Sequence, residues 1–181
     1  MKRHYLPFRC AAIILVACLI YTIHSSGGQV VNARALFLPI DISKPGAHVR
    51  AQIEVKNYSL YVFYINAHYK NEDERKRVFE LVGSGARLKN GGGYAEPGQT
   101  IPVHIKLRDA RGVVLLDVVN QTKGSVGHGL GEKFSGEYIR EIDEMKLNPG
   151  IYDFEVGIQR ENAQFRGIEC AITIGVRPQI N

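Results

Sequence analysis

Apolar and polar residues alternate over much of the chain with the two-residue period of half-buried β-strands. From His48 to Lys56, the side chains of Val49, Ala51, Ile53 and Val55 share one face, and Arg50, Gln52, Glu54 and Lys56 share the other. One face therefore meets a core and the other meets water. Ser59 to Tyr69 is apolar on both faces for much of its length and carries Tyr61, Phe63, Tyr64 and Tyr69, the composition of a central strand. A first strand is expected from Ala35 to Ile42, with Pro39 at an edge or bulge, closed by the turn Ser43-Lys44-Pro45-Gly46. Ile101 to Leu107, the turn Asp109-Ala110-Arg111-Gly112 and the apolar run Val113 to Val119 spell a hairpin. Gly167 to Val176 returns with Ile168, Cys170, Ile172, Ile174 and Val176 on one side.

Where the alternation breaks, other elements are expected. Asn71 stands as an N-cap before Glu72, Asp73 and Glu74, which suit the positive end of a helix running to Gly83. The charges from Glu72 to Arg77 read as a solvated helix face with pairs such as Glu72 with Lys76 and Glu74 with Arg77. Two glycine-rich stretches, Gly83 to Gly98 and Asn120 to Gly136, read as loops, and the second precedes a short amphipathic piece holding Tyr138, Ile139 and Ile142. Leu147-Asn148-Pro149-Gly150-Ile151-Tyr152, followed by alternating Phe154, Val156 and Ile158, resembles the tyrosine corner of immunoglobulin-like sandwiches. The expected fold is mainly β: an immunoglobulin-like two-sheet sandwich of about seven strands with one inserted short helix, over residues 35–177.

The N-terminus changes the picture from a fold to a compartment. Lys2, Arg3 and Arg9 precede an uncharged run of 14 residues from Cys10 to Ile23. A spanning helix needs roughly 20 apolar residues, so an export signal over residues 1–24 fits the length better, followed by a tether at 25–34. Leu15-Val16-Ala17-Cys18 resembles a bacterial lipobox, which makes Cys18 the candidate lipid-attachment residue. Cleavage after Ala33 or Ala35, giving a secreted form, and an uncleaved anchor are the alternatives. The expected location is the periplasm, with the chain tethered to the membrane through its N-terminus.

Removal of Lys2, Arg3 and Arg9 leaves 20 basic against 18 acidic side chains, a net charge of +2, and with no aromatic-interleaved basic cluster a nucleic-acid partner is not expected. Cys170 would be the one cysteine left in the body, so no disulfide forms there and the thiol is expected to pack as a small apolar group. His48, His68, His104 and His128 lack the spacing of metal ligands, and neither glycine-rich stretch has the spacing or setting of a phosphate or dinucleotide loop. No metal, cofactor or catalytic residue is called. The stretch Gly124 to Gly131 places an imidazole in a glycine-rich loop, and Gly124, Ser125, His128 and Lys133 form the candidate binding loop.

Pro39-Ile40-Asp41-Ile42-Ser43-Lys44-Pro45-Gly46, the aromatic strand through Tyr64, the polar helix and the Leu147 to Tyr152 corner together resemble a family of uncharacterised proteobacterial exported proteins and lipoproteins with an immunoglobulin-like sandwich. The resemblance spans Leu36 to Val176 and implies a fold, with no activity or catalytic residues to carry over. The expected function is a non-enzymatic envelope protein that binds a protein partner through loops and strand edges, with toxin neutralisation as one analogy. A small-ligand binder or hydrolase using His128 beside acids such as Glu132 or Asp143 is the alternative.

Overall fold

The alternating segments pair into two five-stranded sheets laid face to face, in a computed structural model that describes residues 30–86, 94–130 and 135–177. The first sheet contains, in spatial order, β1 (Val31–Asn32), β3 (His48–Val55), β9 (Gly150–Ile158), β5 (Ile101–Asp109) and β6 (Val114–Thr122). The second contains β2 (Phe37–Pro39), β10 (Cys170–Arg177), β4 (Ser59–Tyr69), β8 (Gly136–Leu147) and β7 (Gly127–Leu130). All pairings are antiparallel except the short one between β1 and β3. One helix, α1 (Glu72–Val82), packs on β4 and β8. The molecule is a mainly β sandwich, with ten strands among the described residues where about seven were expected.

The extra strands have specific causes. The first expected strand, Ala35 to Ile42, is divided: a 3-10 turn at Ala33–Ala35 carries the chain from one sheet to the other, so β1 and β2 are short pieces on different sheets. The expected loop from Asn120 to Gly136 begins as the end of β6 and contains β7, whose glycines carry no strand signal. Tyr138, Ile139 and Ile142 belong to the 12-residue β8 and not to a separate amphipathic piece. Two features mask its period: the inward row includes Arg140, and a register shift opposite Phe63 and Tyr64 moves that row from Tyr138, Arg140 and Ile142 to the odd-numbered Met145 and Leu147.

The inner rows of both sheets form one core. Tyr152, Phe154 and Val156 of β9 and Val103, Ile105 and Leu107 of β5 face Tyr61, Phe63 and Ile65 of β4 and Ile172 and Ile174 of β10. Phe63 and Phe154 stack across the gap with ring centroids 5.3 Å apart and planes 17° from parallel. At the open side, Asn120 Nδ2 on β6 donates to Ile142 O and to Asp143 Oδ2 on β8, joining the two sheets. Tyr152 Oη donates to Asn148 O at 2.7 Å, the bond that the corner sequence anticipates. Tyr61 Oη donates to Asn57 O at 3.1 Å, so the third residue of β4 repeats in the second sheet what the third residue of β9 does in the first.

Helix α1 starts where local chemistry says it should. Asn71 Oδ1 accepts from Glu74 N at 2.9 Å, and Glu74 Oε2 accepts in turn from Lys70 N at 2.8 Å. Val78 and Val82 are buried against the sandwich, with Phe79 and Leu81 beside them.

Candidate functional site

Four elements meet around a cavity of about 520 Å³ among the described residues. The end of β4 supplies Tyr69, α1 supplies Glu72, Arg75 and Phe79, β7 supplies His128 and Leu130, and β8 supplies Tyr138, with Ser135 just before it. Tyr138 is the hub of an aromatic cluster. Its ring lies 5.5 Å from that of Tyr69, 5.6 Å from Phe79 and 6.3 Å from His128, all tilted. Arg75 grips Glu72 with two bonds of 2.7 Å and donates from Nη1 to Tyr138 Oη at 3.3 Å. Those bonds hold the Glu72 carboxyl below its ordinary range and raise Arg75 further, while burial raises the Tyr69 hydroxyl. The lining thus offers ring faces and edges, one ion pair neutralised within the protein, and one imidazole. It suits a group that is apolar or aromatic with a polar end.

The loop residues singled out in the sequence have separate positions. His128 lines the cavity, opposite Tyr138 in the β7–β8 ladder. Ser125 is buried and ties β7 to β8, its Oγ donating to Gly127 O at 2.6 Å and lying 3.1 Å from Ile139 O. Gly124 has φ +67, and a Cβ there would sit 2.5 Å from the Tyr94 ring, so this glycine lets the ring pack against the backbone. Lys133, Glu132 and Cys18, with the apolar run around Cys18, lie outside the described residues. Asp143 engages Asn120 and is not part of the cavity lining. On α1, Glu72 pairs with Arg75 instead of Lys76, and Arg77 reaches the carbonyls of Gln164 and Arg166 instead of Glu74.

The other histidines are dispersed. His48 begins β3 in solvent, and His104 Nε2 sits 2.6 Å from Asp117 Oδ1 on the outer face of the first sheet. His68 packs on Phe37 between two shallower hollows, one of which adjoins the main cavity through Tyr69, Leu130 and Ser135. No group of three or more His, Cys, Asp or Glu among the described residues could hold a metal ion. Cys170 is 5% exposed, and burial pushes its thiol up to about 12.

One residue behind the site escapes sequence reasoning altogether. Arg140, 1% exposed, points from β8 into the interior. Its Nη1 donates to Gln99 O at 2.6 Å and Thr122 O at 3.4 Å, and its Nη2 to Leu81 O at 3.2 Å and to Val82 O. The guanidinium therefore closes the C-terminal end of α1, where carbonyls lack helical partners and the dipole favours a cation. A charge in a strand is ordinarily assigned to the wet face, and nothing in the neighbouring residues marks this one as different.

Fold and site together define a two-sheet β-sandwich that holds an aromatic-lined cavity between its helix and an edge strand. The chain belongs to the family of the domain of unknown function DUF5625, whose model matches residues 37–176. In structure it is similar to a protein of Sulfurospirillum deleyianum known from the crystal structure of GEBA250068378, with a TM-score of 0.62, 19% identity, and coverage of 80% of this chain and 98% of that one. That likeness is one of fold. No curated protein matches the sequence.

Proposed function

We propose that this protein is an exported, non-enzymatic envelope module of immunoglobulin-like architecture that binds a segment of a partner protein at the aromatic cavity. The observation that carries the reading is the placement of the cavity beside β7, an edge strand, with Leu130 standing 80% exposed at its rim. A large apolar side chain held in water next to aromatic rings is the composition of a binding hot spot. The corner bond from Tyr152 to Asn148 supports the immunoglobulin-like assignment. The charged start, apolar run and Cys18 support export and lipid attachment, which would hold the domain at a membrane surface.

The test is capture of envelope proteins by the tagged chain and by Leu130→Asp. A partner retained by the first and lost by the second, with both equally folded, is the expected result; equal capture would remove the cavity from the interface. Intact mass of wild type and Cys18→Ala should show cleavage before Cys18 with acyl chains, lost in the variant. A second reading has its own observation: about 520 Å³ lies within the range of small-molecule pockets, and His128 opens onto it. A small molecule retained in native mass spectra and displaced by His128→Ala would favour that reading.

A further inference from the structure

We propose that the free edge of β6 pairs with the same edge of a second copy of this chain, antiparallel about a two-fold axis at Val119, so that two five-stranded sheets join into one. This inference is independent of the cavity. Ten large apolar side chains are exposed among the described residues, and five of them (Val113, Val114, Leu115, Val118, Val119) lie on or next to β6. Sheet edges that stay alone carry Lys, Pro or inward charges, or are very short. The other edges here follow that pattern, with two residues in β1, three in β2 and four in β7. β6 has nine residues, contains no Lys or Pro, and leaves Val119 50% exposed. Its one charge, Asp117, is engaged from its own sheet by Lys106 Nζ at 2.5 Å and His104 Nε2 at 2.6 Å.

A second copy fits this edge better than an unrelated strand because an antiparallel pair about a two-fold axis needs the edge to match only itself. Charge selects the register. Centring on Asp117 would set two carboxylates opposite each other, which is unfavourable. Centring on Val119 sets Val119 against Val119, Val118 against Asn120 and Asp117 against Gln121, with Lys123 of one copy diagonal to Asp117 of the other. Asp117, Val118, Val119, Asn120 and Gln121 keep the faces that their pairing with β5 already gives them, and Lys123 follows directly after the strand.

The experiment uses the full chain as processed by a Gram-negative host, in one detergent throughout. Sedimentation should show a dimer that Val119→Lys converts to a monomer with unchanged circular dichroism. Under mild oxidation Val119→Cys should cross-link to itself, while Val113→Cys, equally exposed but off the axis, stays at the wild-type background. A monomer with no Val119→Cys cross-link, a dimer indifferent to Val119→Lys, or equal cross-linking at both positions would each overturn the proposal. Cross-linking of Val119→Cys to a different envelope protein would overturn it as well, and would assign the edge to that partner.

Discussion

Burying a guanidinium without a carboxylate is costly unless its N–H donors find partners; Nη1 and Nη2 of Arg140 reach four carbonyls, while Nε has none. Burial pulls its pKa down to about 10, so it still carries its charge at neutral pH. Arg140→Leu is expected to lose about 2–4 kcal/mol in urea unfolding, because Val82 O at the end of α1 loses this donor in a dry setting, whereas Leu81 O keeps its bond from Gln99 N. Arg140→Lys should recover only part of that, since one ammonium cannot span partners set by a planar fork. Cys170 makes the opposite case, a residue whose alternating neighbours already announce its burial. Its folded pKa of about 12 lies above the ordinary value of 9.0. The stability tied to the neutral thiol is therefore complete below pH 9 and is lost as pH rises toward 12, where only the unfolded chain ionises freely. Iodoacetamide at pH 8 should leave Cys170 unmodified in the native protein and label it on unfolding; rapid native labelling would contradict the packing described.

Helix α1 was legible almost to the residue because its boundary signals are local: Asn71 and Glu74 satisfy backbone donors within one turn. β7 and β8 were not, because their signals lie in partners distant in sequence. Gly136 shows why. A Cβ there would meet Gly129 O and the Tyr69 hydroxyl, so the absence of a side chain lets β7 close onto β8 and lets Tyr69 line the cavity. Read alone, the same glycine signals a loop. Gly136→Ala is expected to separate β7 from β8 while leaving β4 and β10 paired. Amide exchange should then rise in Gly127 to Leu130, with protection kept from Phe63 to Ile65; unchanged exchange in β7 would show that the contact is not required.

The two sheets are held by one shared core, and the Phe63–Phe154 stack lies at its centre. Phe154→Ala should cost about 3–5 kcal/mol, read as a lower urea midpoint with an unchanged slope, since the cavity it leaves is walled by both sheets. Loss of one sheet's signal before the other's would argue for two independent layers. The order of apolar and polar residues determined the strands that alternate cleanly, the helix with its cap, the Tyr152 corner and the mainly β class, because each of these is encoded within a few neighbouring positions. Tertiary structure alone decided that Tyr69, Phe79, His128 and Tyr138 surround one cavity, that Arg140 turns inward to carbonyls from three separate segments, and that the apolar run of β6 faces open water. These depend on which strands become neighbours and which strand is left at an edge. Pairing within the sheets joins residues as far apart as Phe37 and Thr173, and a pattern read along the chain has no register with which to align them.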